Sequence, residues 1–230
     1  MLYATVCHGA EFIEKYSLSI NEVGKVDDVF VLTDQPKNFP NCNILEYEEF
    51  MGSKKFMYTC KLDLIFHLLK QLKQRVNYVD ADFLNLSFDK SLVKDDNTLF
   101  TSIVVPHNNT ALTKTHFDNK TYEDFVTFMK KNNLDVYDEN YAYITEAFLS
   151  FPYLDNTLEI ASRSKELQAQ VLEVFNQDTD KWSNTALKRY AKVGSGFGEG
   201  SVVTILAKEF NINVEGVSSN RKLFKAKKLQ

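Results

Sequence analysis

Val76-Asn77-Tyr78-Val79-Asp80-Ala81-Asp82 is the stretch on which the fold turns. Its first four residues, VNYV, form a short run of strand-forming side chains that stops at two acids one residue apart. Acids at the end of a buried strand stand where α/β sheets bind ligands, outside the carboxyl ends of their strands. Alternate side chains of an extended segment share a side, so Asp80 and Asp82 are expected to address one divalent cation, directly or through water. Hard cations such as Mg²⁺ and Mn²⁺ prefer such oxygen ligands. A D-x-D triplet alone is a weak signal, because solvated turns carry it often. Its context gives it weight.

Working back from this stretch, Lys54 to Gln74 reads as an amphipathic helix, with Met57, Cys60, Leu64, Leu68 and Leu72 stepping by three or four. Lys70, Lys73 and Arg75 gather at its C-terminal end, where cations suit the helix dipole. Further upstream, Leu2 to Cys7 (LYATVC) is an apolar strand and Ala10 to Glu22 a helix with Phe12, Ile13, Tyr16 and Ile20 at helical spacing. Val29 to Leu32 (VFVL) is a second strand, ending in Thr33 and Asp34. Strand, helix, strand is the opening of an α/β sheet.

Downstream the alternation loosens. Thr98 to Val105 reads as a strand stopped by Pro106, and Thr121 with Asp124 as the capping box of a helix. Tyr141 to Phe151 is strand-like, and Ser164 to Asn176 and Ser183 to Lys192 are helix-like. Gly194, Gly196, Gly198 and Gly200 precede a helix from Val202 to Phe210, and Ile212 to Val217 is the last strand. No proline- or serine-rich linker intervenes. The expected fold is α/β: one domain with a Rossmann-like mixed sheet flanked by helices.

Composition narrows the function classes. With 230 residues, 44% hydrophobic and 25% charged, the chain can build a large core without disulfide or metal staples. Cys7, Cys42 and Cys60 are odd in number and widely spaced, so reduced thiols are expected rather than a disulfide framework or a zinc knuckle. The first ten residues lack the pattern of a signal peptide and no run is long enough to span a membrane, which predicts a cytoplasmic protein. Residues 219–230 carry Arg221, Lys222, Lys225, Lys227 and Lys228 with no acid, leaving 22 basic against 31 acidic side chains in residues 1–218, a balance of −9. A basic body announces a large duplex-binding face; here the body is acidic, and any polyanion is met mainly by the tail or is small.

The succession LYATVC, VFVLTD, KLDLIFHLLKQL and VNYVDADFL resembles nucleotide-sugar glycosyltransferases of the GT-A fold, and within them the retaining glycosyltransferase family 6. The resemblance spans most of the chain and is most specific over residues 1–90. It implies a GT-A catalytic domain over 1–218, with a nucleotide-sugar-binding half at 1–95 and an acceptor-binding half at 96–218, followed by a basic tail at 219–230. It further implies that Asp80 and Asp82 bind Mn²⁺ or Mg²⁺ and the nucleoside diphosphate, that Val6, Cys7 and His8 cradle the nucleobase, and that Arg221, Lys222 and Lys225 close over the pyrophosphate. The family's active-site glutamate lies in a late Trp-His-Asp-Glu motif; the counterpart here is Phe197-Gly198-Glu199-Gly200, which keeps only Glu199.

Other residues follow from position. Lys61 falls in line with Met57, Ile65, Leu68 and Leu72, on the sheet-facing side of its helix near the expected nucleotide, or at the edge of the core as a snorkelling lysine. Asp34 is expected to bond ribose or base, or to make an Asx turn before Pro36. Glu146 is the alternative catalytic carboxylate. Trp182 and Tyr190 are candidates to stack on an acceptor. The activity implied is transfer of a hexosyl or pentosyl group from a nucleotide sugar, such as a UDP-sugar, to a hydroxyl acceptor. The acceptor is a saccharide or, alternatively, a hydroxymethylated base in bacteriophage DNA. Two rivals stand beside it. Phosphohydrolases with an aspartyl nucleophile place Thr or Val where this chain has Leu84; a non-catalytic nucleic-acid-binding protein would explain the tail but neither the acidic pair nor the acidic body.

Overall fold

The structure, a computed structural model, describes residues 1–51, 60–82, 84, 93, 97–101, 104–106, 119–136, 142–144, 148–174 and 199–216. Strand β1 (Leu2–Val6) shows how the sheet is built. Leu2 and Ala4 enter one core cluster and Tyr3 the other, since successive side chains of a strand point to opposite faces. The same division holds in β2 (Asp28–Thr33), with Leu32 on one face and Val29 and Val31 on the other, and in β4 (Val76–Val79), with Val76 and Tyr78 opposed to Val79. Both faces are covered, which is why these strands read as continuous apolar runs rather than alternating ones.

The remaining strands are β3 (Asn43–Glu46), β5 (Leu99–Thr101), β6 (Val104–Pro106), β7 (Ala142–Ile144), β8 (Phe148–Phe151) and β9 (Val214–Gly216). Among the described residues seven strands form one mixed sheet in the order β3-β2-β1-β4-β8-β5-β9, while β6 and β7 pair separately. Strand β1 is parallel to β2 and β4, β2 to β3, and β5 to β9; β8 runs antiparallel to both β4 and β5. After β1 the chain moves outward through β2 to β3, then returns to lay β4 on the other side of β1. The strand order reverses there, and the crevice at the carboxyl ends of β1 and β4 is the topological switch point. Strands from both halves of the sequence share this sheet through the β4–β8 pairing, Val79 opposite Phe148.

Helix α1 (Ala10–Gly24) covers one face through Ile13 and Ile20. The other face carries α2 (Tyr47–Met51), α3 (Cys60–Leu72), α5 (Thr157–Val174) and α6 (Glu199–Glu209), whose Met51, Leu64, Leu68, Leu167, Val203 and Leu206 enter the larger cluster. Helix α4 (Asn119–Lys131) adds Phe128 and Met129. Each fully buried side chain of this kind stabilises by about 1.5–3 kcal/mol relative to exposure.

Several boundaries differ from the expectations, each for a local reason. Phe12 is 43% exposed, because it stands one residue, about 100° of helix, from the buried Ile13. The strand expected over 98–105 is divided between β5 and β6, and that over 141–151 between β7 and β8, with each half in a different sheet. Helix α4 begins at Asn119, so Thr121 lies inside it and cannot cap it. Helix α5 begins at Thr157, seven residues before Ser164. Its start is fixed by Thr157, whose hydroxyl donates to the Leu154 carbonyl at 2.6 Å and accepts the Leu154 N–H at 2.8 Å. Helix α3 is described from Cys60; Met57 and the expected helix over 183–192 lie outside the described residues. Among the described residues no helix is long and apolar enough to cross a membrane.

Candidate functional site

The sheet topology gathers the ends of β1, β2 and β4 along one edge, and the residues just beyond them define the site. At the end of β4, Asp80 is held rather than free. Its Oδ1 accepts a hydrogen bond from the Tyr78 hydroxyl at 2.9 Å and lies 2.9 Å from the Lys61 Nζ. Tyr78 is buried in the α3-side core, and two residues along a strand return to the same side, so its hydroxyl emerges beside Asp80. Lys61, in the first turn of α3, runs its stem along the same surface and sets its ammonium 5.6 Å from the centre of the Tyr78 ring. The Lys61 and Asp80 side chains are 14% and 26% exposed, between a buried pair and a surface one.

Beyond Asp80 the chain turns instead of continuing as a strand. Ala81 is buried in the α1-side core, in the same cluster as Val79. Strand β4 ends at Val79, so strand alternation does not itself set the relation of Asp80 to Asp82. They remain within electrostatic reach. Partial burial and then the negative charge of Asp80 push the Asp82 pKa up, against the opposing effects of its own backbone N–H, Lys61 and Lys15. Lys15 lies on α1, so the acid pair is flanked by cations from helices on both faces of the sheet.

The ends of β1 and β2 close the other side of the crevice. Gly9, at φ +88°, lets the chain pass from β1 into α1, and its N–H donates to Asp34 Oδ1 at 3.0 Å. A side chain would strain that backbone, although the space a Cβ would take is open. His8 Nε2 stands 3.7 Å from Asp34 Oδ2, and its ring tilts against Tyr47 at 4.3 Å between centroids. Asp34 thus does not make an Asx turn before Pro36; the Thr33 hydroxyl does that work by accepting the Gln35 N–H at 3.1 Å. Cys7 is wholly buried, its thiol pushed up to about 12 by desolvation and then by Asp34, and its N–H donates to the Leu32 carbonyl at 3.0 Å. It braces the turn as a neutral side chain. Val6 is half-buried at the end of β1, in register with Leu32.

Of the expected residues, the structure brings His8, Asp34, Lys61, Asp80 and Asp82 to one edge of the sheet. Glu199 is the first residue of α6. A helix that feeds a strand through a four-residue link, Phe210–Asn213, and packs back along the sheet runs opposite to that strand. Strand β9 is parallel to β5, and β5 and β4 share an orientation through β8, so α6 begins on the edge that carries Asp80. Glu146, Trp182, Tyr190, Arg221, Lys222 and Lys225 lie outside the described residues, as does the glycine cluster up to Gly198.

Three residues of the site carried no expectation. Tyr78 could have been found by counting back two from Asp80 along the strand. Gly9 could have been found as the glycine between the first strand and its helix. Nothing in the sequence marks Tyr47, a buried tyrosine whose hydroxyl has no partner among the described residues and whose pKa is raised by burial, then by Cys60 and Asp34.

Among the described residues no group of three or more His, Cys, Asp or Glu side chains could hold a metal ion by itself. What the edge offers is a pair of carboxylates, with Asp80 engaged through Oδ1 by Tyr78 and Lys61. That set suits a hard cation whose remaining ligands are phosphate oxygens and water. Away from this edge, a cavity of about 320 Å³ is lined by Glu49, Asp63, His67, Lys70 and Lys165, among others, and its mixed charges favour neither a polyanion nor a cation. No protein-family model matches the chain, and no curated protein matches it.

Proposed function

We propose that this chain is a metal-dependent glycosyltransferase, moving a sugar from a nucleoside-diphosphate donor to a hydroxyl acceptor, a saccharide, with retention at the anomeric carbon. The observation that carries the reading is the group Lys61, Tyr78, Asp80 and Asp82 at the carboxyl end of β4, facing His8 and Asp34 across the strand-order reversal. Paired acids suit the cation, and Lys61 suits the phosphates as a point charge on a flexible stem. On the β1–β2 side, Asp34 and His8 offer an acceptor and a ring for ribose or base. A bound Mn²⁺ or Mg²⁺ would supply Lewis-acid stabilisation of the leaving diphosphate.

The chain's own residues then divide the work. Asp80 and Asp82 position the cation; Tyr78 fixes the Asp80 carboxylate through Oδ1. Lys61, with Arg221, Lys222 and Lys225 of the basic tail, holds the phosphates. Glu199 at the start of α6 stabilises the oxocarbenium-like transition state from the other face of the sugar, with Glu146 as the alternative.

The test is to incubate the protein with Mn²⁺ and UDP- and GDP-hexoses and follow nucleoside diphosphate release by chromatography. Release that ceases with chelator and resumes with Mn²⁺ is expected. No release from any donor, together with no Mn²⁺-dependent binding of UDP or GDP, would overturn the reading.

A further inference from the structure

Resting on that reading, one geometric fact goes further: the first acid of the pair already has a cation. Lys61 Nζ sits 2.9 Å from Asp80 Oδ1, and the Tyr78 hydroxyl donates to the same oxygen at 2.9 Å. A divalent ion approaching Asp80 meets a like charge at bonding distance from the carboxylate, and a second, Lys15, acting on Asp82. The described residues offer it little in return, since among them no third acid, His or Cys completes a metal site. A diphosphate changes both terms at once. It brings oxygen ligands for the cation, and it offers the Lys61 ammonium a stronger anionic partner than the Asp80 carboxylate.

We propose that Lys61 is a shared counter-ion: it neutralises Asp80 while no donor is present and moves to the diphosphate when the donor arrives, so that divalent cation and nucleoside diphosphate bind as a pair. Tyr78 keeps Asp80 in place during the exchange, because its 1% exposed ring cannot follow the lysine. The coupling is reciprocal, as any linkage of two binding equilibria must be: each ligand tightens the other by the same factor.

The experiment is a titration of Mn²⁺ followed by electron paramagnetic resonance, with and without saturating UDP or GDP, on the intact protein and on Lys61→Met and Lys61→Arg. The intact protein should bind Mn²⁺ feebly alone and far more tightly with nucleoside diphosphate. Lys61→Met, which keeps an apolar stem and removes the charge, should bind Mn²⁺ alone about tenfold more tightly, as expected for freeing a charge-assisted bond. Its enhancement by UDP or GDP should shrink, while Lys61→Arg should restore the coupling. Should Lys61→Met pack poorly, Lys61→Gln makes the same comparison. Unchanged or weaker Mn²⁺ binding in the uncharged variants, with the enhancement undiminished, would overturn the shared-counter-ion proposal and leave the metal site standing. Failure of the intact protein to bind Mn²⁺ even with UDP and GDP would instead remove the metal–diphosphate reading, and this inference with it.

Discussion

Replacing each acid of the pair by its amide should give opposite changes in stability, although both replacements should abolish the proposed metal-dependent nucleotide binding. Asp80 is tied to Lys61 and Tyr78, and those two side chains are 14% and 1% exposed. In Asp80→Asn the amide oxygen still accepts from Tyr78, but as a neutral acceptor, and the Lys61–Asp80 ion pair is lost. An exposed pair contributes about 0–1 kcal/mol and a broken buried pair costs about 3–5. At 26% exposure for Asp80 and partial screening by water, the loss should be about 1–2 kcal/mol. With a urea dependence of about 2–3 kcal/mol per molar, the midpoint falls by about 0.5 M, the slope being unchanged. Asp82 is exposed and its pKa is raised, first by desolvation and then by Asp80. For an acid whose folded pKa lies above its unfolded value, the stability it contributes is present below the unfolded value and lost as pH rises through the folded one. Asp82→Asn should therefore unfold at the same or higher urea than the parent at pH 7, and the difference should vanish in acid. Equal destabilisation by the two replacements at neutral pH would refute this division of roles.

Gly9→Ala should lower stability by about 1 kcal/mol or more, measured by urea unfolding, because the cost is the positive φ alone and the site has room for the methyl group. Deleting residues 219–230 should raise the donor KM steeply, since each charge-assisted bond to phosphate contributes about 1.5–3 kcal/mol; native donor kinetics in the truncated protein would show that the tail takes no part. Glu199→Gln should keep donor affinity by calorimetry and lose turnover by about 10² or more, the range for removing a preorganised electrostatic stabiliser. An inverted anomer in the NMR spectrum of the product would reject the retaining assignment.

The parallel half of the sheet was legible because it is buried on both faces. Runs such as VFVL and VNYV are largely buried, and each is followed within two residues by an aspartate, Asp34 or Asp80, that marks the edge. Strand β3 was not legible: Asn43–Glu46 is an edge strand, exposed or half-buried throughout, and carries neither a continuous nor an alternating pattern. The division of 98–105 and 141–151 was hidden for another reason. Hydrophobic periodicity registers that a segment is extended, not which sheet it joins, and the change of partner leaves no mark on composition. In the site, Asp80, Asp82 and Asp34 followed from being polar at strand ends. Their actual partners did not. The bond from Gly9 to Asp34 crosses 25 positions and the ion pair from Lys61 to Asp80 joins a helix to a strand, so both are products of the sheet order.

The carboxyl edge at β4 is the proposed divalent-cation and nucleoside-diphosphate site. The most direct measurement is anomalous diffraction at the manganese edge from crystals grown with Mn²⁺ and UDP or GDP. A single peak in direct contact with carboxylate oxygens of Asp80 or Asp82 and with the diphosphate, with Lys61 Nζ moved from Asp80 onto a phosphate oxygen, is the predicted result. An ordered nucleotide bound elsewhere, or bound at this edge with no manganese peak, would contradict it.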